Sequence, residues 1–352
     1  MENKRLKWVD SCRGMAILLV IIVHVGQLFP NSTINFISSF AKNGVQMFFI
    51  ISGYTLFKSI ENNKNKSFKP FIIKRFFRIA PMYYLSAIYY CVISTETINI
   101  KYLIINVLFL NQFYLPAFNY IPPGGWSIAT EMTFYLFIPF LFKKINSLNN
   151  SLVYLAGSLT VSISLNMAIY YFMKLYLART YYISDSLFIN NIPTLFLGIL
   201  LYYLVRENKI TLKSIYSFLI AIVLFLYLIS KPFSNNYNNI YKLPNNIINY
   251  TYSFSLVVFL LIIGIYKLNQ NSKIMISLQK IGKISFSIYL VHFTIISLIR
   301  NHININYNSI GFTFILIFLI VTFVSYNLSK ITYKIELLGQ ELGNKIISKF
   351  NF

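Results

Sequence analysis

The N-terminal segment reads Arg5-Leu-Lys-Trp-Val-Asp-Ser-Cys-Arg-Gly-Met-Ala-Ile-Leu-Leu-Val-Ile-Ile-Val-His24. Its apolar run, about residues 11–29, is long enough to cross a bilayer as a helix, which needs roughly 20 residues. Arg13 and His24 are eleven residues apart, so they share one helical face and lie about 16 Å apart along the axis. Because polar groups inside a membrane usually face a cavity or a partner, this pattern predicts a channel with a cationic mouth and an imidazole at its end.

The composition of the whole chain has the same character as this first segment. Of 352 residues, 57% are hydrophobic and only 11% are charged. Apolar runs such as 212–230 and 312–325 are continuous, whereas the strands of a membrane barrel would alternate between apolar and polar residues. The composition therefore excludes a soluble domain and predicts an all-α, polytopic transmembrane helical bundle that forms one membrane domain over residues 1–352.

Hydropathy and lysine positions together predict about ten spans, with both termini in the cytoplasm. The segment near 101–125 is apolar only over a short stretch and is followed by several prolines and glycines. We interpret it as re-entrant or interfacial, since that choice keeps the remaining lysine clusters on the cytoplasmic side. The predicted spans are 11–29, 36–57, 76–94, 126–142, 152–173, 186–206, 212–230, 247–267, 284–300 and 310–330.

The net charge of +22 has an ordinary explanation in the excess of basic residues in cytoplasmic loops. The lysines are scattered between spans, which argues against nucleic-acid binding. Cys12 and Cys91 fall near opposite ends of their spans and are not expected to pair. The three histidines are dispersed without metal-ligand spacing, so no metal site is expected.

Glu131 is one of only nine acidic residues, and it lies inside a predicted span. Ser127, Glu131 and Tyr135 follow one another at intervals of four residues, which predicts one polar stripe on the helix. An acid within the membrane usually has a function. The alternative is a carboxylate held by a neighbouring hydroxyl or arginine for packing specificity.

Lys74, Arg75 and Arg78 gather at the cytoplasmic start of the third span. The planar guanidinium of arginine donates two hydrogen bonds at once, which suits phosphate. The alternative is that these residues bind lipid phosphates at the membrane surface.

Ser285, Tyr289 and His292 share one helical face, at spacings of four and three residues. For His292 the alternative to a function is an interhelical hydrogen bond. The imidazole of His24 has the property that a general base needs, because it can accept a proton near physiological pH. Asp10 is placed to pair with Arg13 at the membrane surface.

These stretches together resemble the acyltransferase 3 family of integral membrane acyltransferases, and the resemblance covers nearly the whole chain. The matching motifs are Asp10-Ser-Cys-Arg-Gly-Met-Ala16 through His24, Phe48-Phe-Ile-Ile-Ser-Gly-Tyr54, Arg75-Phe-Phe-Arg-Ile-Ala-Pro-Met-Tyr83, Trp126-Ser127 through Glu131 to Tyr135, and Ser285 through Tyr289 to His292.

The resemblance implies transfer of an acyl group, commonly acetyl, from cytoplasmic acyl-CoA to a hydroxyl on an extracytoplasmic or lipid-linked saccharide. It implies a multi-pass protein of the plasma (inner) membrane with acetyl-CoA as donor, a saccharide or glycolipid acceptor, and no metal. It implies binding of the CoA phosphates for Arg13, Arg75 and Arg78, and the role of catalytic base for His24. From their positions we further expect Glu131 and His292 to take part in catalysis, and the substrate to contact Trp126, Ser127, Tyr135 and Tyr289.

Two positions depart from the family pattern. Gln46 stands where many members carry an acid in the second span, and Glu336-Leu-Leu lacks the proline of a frequent Glu-x-Pro motif. We therefore assign no role to Glu336. The competing hypothesis is a transporter or flippase for a lipid-linked saccharide without chemistry of its own. The resemblance is compatible with an acetyl or a succinyl donor and with several classes of acceptor.

Overall fold

The computed structural model describes residues 6–62, 68–94, 97–176, 186–234, 250–302 and 309–350. Within these ranges the chain folds into thirteen α-helices with no β-strand, which confirms the predicted all-α class. The basic positions Lys4, Arg5, Lys64 and Lys66 lie outside the described residues. The helices are α1 Lys7–Gly26, α2 Thr33–Ser39, α3 Gly44–Glu61, α4 Phe68–Ile93, α5 Ile100–Val107, α6 Gly125–Lys144, α7 Leu148–Tyr176, α8 Phe188–Arg206, α9 Ser214–Ser234, α10 Tyr250–Lys267, α11 Lys273–Lys283, α12 Ser285–His302 and α13 Ile310–Lys349.

Several of these helices have the length and apolar composition of a membrane span. Six qualify in the described part of the chain, namely α1, α4, α6, the Leu148–Ala168 part of α7, α8 and α13. The pair α11 and α12 qualifies together but is bent by 77° at its junction, which raises the number to seven. Every predicted span overlaps an α-helix, while the total of about ten spans stays a prediction.

The segment 101–125 does not form a spanning helix. Its one α-helix, α5, has eight residues and is about 12 Å long, far less than the roughly 30 Å of a hydrocarbon core. Side chains satisfy the irregular backbone that follows: Asn106 Nδ2 donates to the Ala117 carbonyl at 2.8 Å, and Asn111 Nδ2 donates to the Phe118 carbonyl at 2.7 Å. Backbone outside helices is tolerated at membrane depth only where the protein supplies such partners.

Helix boundaries differ most from the predicted spans in three places. The predicted span 36–57 is divided by a 3₁₀ turn, Phe40–Asn43, between α2 and α3. Helix α4 begins eight residues before the predicted position 76, and α13 continues 19 residues beyond 330. Both extensions contain charged residues among their apolar ones, so hydropathy alone ends them early.

The first helix lies at the centre of the bundle and packs against α3, α11, α12 and α13. The close approach of α1 to α11 depends on glycine, because a Cβ at Gly14 would lie 2.1 Å from the Leu278 carbonyl oxygen of α11. A similar crossing joins α3 to α8, where a Cβ at Gly53 would lie 2.2 Å from the Leu195 carbonyl oxygen. Small residues at such contacts let membrane helices approach closely, and here they fix α1 and α3 beside the cavity described next.

Candidate active site

A cavity lies among α1, α3, α4, α6 and α12. One end is cationic, with three arginines around a single carboxylate, and the other end carries two hydroxyl groups and aromatic rings. Apolar side chains line the wall between the two ends. The lining residues are Arg13, Val45, Phe48, Phe49, Ser52, Arg75, Arg78, Ile79, Ser127, Ile128, Glu131, Tyr135, Ser285, Phe286 and Tyr289.

The cationic end joins two helices that are distant in sequence. Arg13 comes from α1, and its guanidinium lies 3.9 Å from the Asp10 carboxylate, the pairing anticipated from their spacing. Arg75 and Arg78 come from α4, where the Arg75 guanidinium carbon lies 5.8 Å from the centroid of the Tyr135 ring. The positive charges of Arg75 and Arg78 both act on Arg13, so the three arginines repel one another and favour an anion in the space between them.

Glu131 is the carboxylate within this cluster. Its Oε1 accepts hydrogen bonds from the Ser52 hydroxyl and from the Tyr135 hydroxyl, the latter at 2.5 Å. Its negative charge attracts all three arginines. Among the lining residues, three guanidinium groups face one carboxylate, while Asp10 offsets Arg13 from outside the lining. The guanidinium donors that face the cavity suit a ligand with phosphate groups.

A second carboxylate, Glu336 of α13, supports the cationic end from outside the cavity. It is 3% exposed and accepts a hydrogen bond from the Ser287 hydroxyl at 3.1 Å. Its charge attracts Arg78. Glu336 was assigned no role from the sequence, although it follows Ser325 and Ser329 at a spacing that puts all three on one helical face.

At the other end of the cavity, two hydroxyl groups meet a backbone carbonyl. The Ser127 and Tyr289 oxygens lie 2.8 Å apart, and each hydroxyl is 3.0 Å from the Gly124 carbonyl oxygen. Gly124 precedes α6 with φ of 77°, a left-handed conformation that favours glycine. The turn thus presents its carbonyl to both side chains.

The two intramembrane histidines lie beside this end but are not among the lining residues. Their ring centroids are 5.4 Å apart, and that of Tyr289 is 5.7 Å from that of His292. His24 Nδ1 lies 3.0 Å from the Gln27 side-chain oxygen, and His292 Nδ1 lies 3.1 Å from the Ile288 carbonyl oxygen. Both oxygens can only accept, so each contact favours a proton on Nδ1 and leaves Nε2 with a lone pair.

The residues predicted from sequence therefore separate into two groups. Three sets line the cavity: the arginines Arg13, Arg75 and Arg78, the α6 stripe of Ser127, Glu131 and Tyr135, and the α12 pair Ser285 and Tyr289.

The histidines His24 and His292 form a neighbouring pair. Trp126 belongs to neither group, although its ring packs against the lining residue Phe49 with centroids 6.4 Å apart. The Trp126 ring stacks on Phe118 with centroids 6.1 Å apart, and its backbone carbonyl accepts a hydrogen bond from Gln112. Ser52 and Phe48 belong to the second-span motif quoted above but were assigned no role from the sequence; Ser52 holds Glu131, and Phe48 contacts Tyr289.

A family model described as an acyltransferase domain, that of the acyltransferase 3 family, matches residues 6–333. A protein of Acidianus two-tailed virus, named "Putative acetyltransferase", is 28% identical over 303 residues, which cover 81% of this chain and 81% of that protein. No solved structure matches the chain.

Bacterial relatives are longer than this chain. A protein of Staphylococcus aureus strain COL, named "Putative O-acetyltransferase", is 26% identical over 345 residues, which cover 86% of this chain and 53% of the relative. The peptidoglycan O-acetyltransferase OatA of Listeria monocytogenes is 28% identical over 161 residues, or 39% of this chain and 24% of that protein. The chain thus spans about half the length of its staphylococcal relatives.

Proposed function

This chain belongs to the acyltransferase 3 family of integral membrane acyltransferases, and we propose that it transfers an acetyl group from cytoplasmic acetyl-CoA to a hydroxyl of an extracytoplasmic or lipid-linked saccharide. It lies in the plasma membrane with both termini in the cytoplasm. The names of its relatives support O-acetyl transfer, and the excess of lysine in the predicted cytoplasmic loops supports the orientation.

The observation that carries this proposal is the three-arginine end of a cavity whose other end adjoins two histidines. Guanidinium groups recognise phosphate through paired, charge-assisted hydrogen bonds. Arg13, Arg75 and Arg78 bind the phosphates of CoA, and the pantetheine arm follows the apolar wall towards Ser127 and Tyr289. The thioester then lies near the histidine pair.

The transfer requires a base for the acceptor hydroxyl. His24 is half-buried and His292 is fully buried, so His24 is the imidazole that an incoming acceptor meets. Its Nε2 takes the hydroxyl proton as the acceptor oxygen attacks the thioester carbonyl carbon. The carbon–sulfur bond breaks, and the imidazolium returns the proton to the CoA thiolate. The products are the O-acetylated acceptor and CoA.

Mass spectrometry of surface glycans tests the proposal in a strain from which the gene has been deleted. The expected result is the loss of an acetyl group from one class of glycan, with restoration when the wild-type gene is returned. The matched control returns a gene encoding Phe137→Val, a change on a 51% exposed side chain of α6 that is not among the cavity-lining residues. Glycans unchanged by the deletion would overturn the proposal.

A further inference from the structure

Two aromatic side chains form the end of the cavity opposite the arginines. Phe48 of α3 and Tyr289 of α12 both line it, with ring centroids 6.4 Å apart and ring planes at 77°. Tyr289 is 7% exposed. We call Phe48 and Tyr289 the end wall.

Hydrogen bonds and packing hold the Tyr289 side chain of the end wall in place. The Tyr289 hydroxyl is fixed by the Gly124 carbonyl at 3.0 Å and by the Ser127 hydroxyl at 2.8 Å. The backbone of Gly124 packs closely against this hydroxyl, because a Cβ at Gly124 would lie only 2.6 Å from the Tyr289 oxygen. The rings of His292 and Phe293 pack against Tyr289 with centroids 5.7 and 6.4 Å away.

The cavity has a defined direction along α6. Tyr135 lies beside Arg75 at the cationic end, and Ser127 lies beside Tyr289 at the end wall. Eight residues separate them on the helix, which corresponds to about 12 Å. A ligand whose phosphates bind the arginines and whose chain follows this axis therefore presents its distal tip to the end wall.

We propose that Phe48 and Tyr289 select the acyl group of the donor by its length, admitting acetyl and excluding longer chains. This inference rests on the proposed function, because it takes the tip of the ligand to be the acyl group of acyl-CoA. Protein interiors are close-packed, so each added methylene must displace a fixed ring. One methylene in a tight apolar pocket changes specificity by about 10- to 200-fold.

Calorimetric titration of the purified full chain in lipid nanodiscs tests the inference without knowledge of the acceptor. The probes are CoA, acetyl-CoA and butyryl-CoA. The wild-type protein should bind butyryl-CoA at least about 10-fold more weakly than acetyl-CoA. Phe48→Val should strengthen butyryl-CoA binding by about 10-fold or more relative to acetyl-CoA binding.

Three further variants separate the end wall from general effects on folding. Tyr289→Leu should widen the same end and shift the preference in the same direction, whereas Tyr289→Phe keeps the ring and should keep the preference. The matched control Phe137→Val, on a side chain outside the cavity lining, should leave both dissociation constants unchanged. A thermal melt of each variant verifies that it is folded.

Two outcomes contradict the inference in different ways. The selective role of the end wall is overturned if the wild-type protein binds acetyl-CoA and butyryl-CoA equally. It is also overturned if Phe48→Val and Tyr289→Leu both leave the ratio of the two dissociation constants unchanged. In either case the proposed donor stands. Failure of all three CoA probes to bind the wild-type protein overturns the proposed donor, and the end wall with it.

Discussion

The imidazole rings of His24 and His292 lie with their centroids 5.4 Å apart, although the two residues come from α1 and α12. His292 is fully buried and the part of the chain that the structure describes gives its Nε2 no hydrogen-bond partner, whereas His24 is half-buried. The pair therefore has an outer member that can meet an acceptor and an inner member that supports it. This asymmetry predicts unequal roles.

We expect His292→Gln to lower the turnover number less than His24→Gln does. The amide of glutamine keeps a hydrogen bond at either position, but only the loss of the proton acceptor at His24 removes the general base. Initial rates of acetyl transfer at saturating acetyl-CoA measure the difference. A larger loss in His292→Gln would reverse the assignment of the base.

We expect Arg75→Ala and Arg78→Ala each to raise the KM for acetyl-CoA by about 10- to 100-fold, because each removes a hydrogen bond to a charged phosphate. Arg75→Lys and Arg78→Lys should recover only part of the loss, since lysine lacks the planar fork. Lys74→Ala is the matched control, because its exposed side chain is not among the cavity-lining residues. If both alanine variants kept wild-type donor kinetics, the basic cluster would serve only to orient the protein in the membrane.

Glu131→Gln should lower the melting temperature of the ligand-free protein. The change removes the negative charge that lies among three arginines, and leaving charged groups without compensation costs about 1–3 kcal/mol or more. Acetyl-CoA should raise the melting temperature of Glu131→Gln more than that of the wild type, because its phosphates supply the missing charge.

The matched control for this prediction is Glu207→Gln. Glu207 is exposed and pairs with Lys209 at 2.7 Å, and surface pairs contribute little to stability. A melting temperature of Glu131→Gln equal to that of Glu207→Gln would contradict the electrostatic role given to Glu131.

Reporter fusions after Lys144 and Lys209 should report the cytoplasm, and a fusion after His302 should report the outside. These positions follow α6, α8 and α12, and the expectation rests on the positive-inside rule together with the short α5. A fusion after Lys144 that reports the outside would require an additional span within 101–125.

The helices were predictable because the thickness of a bilayer sets the length of an apolar run. The short helix α11 was missed because most of its apolar residues lie on one face and its lysines on the other, so that they form no continuous apolar run. Its start carried a local signal, since the Ser272 hydroxyl caps it by accepting the Met275 backbone N–H. Hydropathy does not register a capping residue of this kind.

Helical periodicity identified which side chains share a face, and Ser127, Glu131 and Tyr135 do line one cavity. Periodicity within one helix says nothing about which helices meet. The hydrogen bond from Ser52 to Glu131 and the contact of Phe48 with Tyr289 depend on how α3 packs against α6 and α12. The separation of His24 from the lining residues has the same cause.

The most direct test of the central claim is the transfer of labelled acetyl from acetyl-CoA to surface glycan by membranes that contain His24→Ala. The variant should insert, bind acetyl-CoA as the wild type does, and transfer acetyl about 10²- to 10⁴-fold more slowly, because it lacks the general base. Transfer at a near wild-type rate, at equal protein level, would contradict the assignment of His24 as the base.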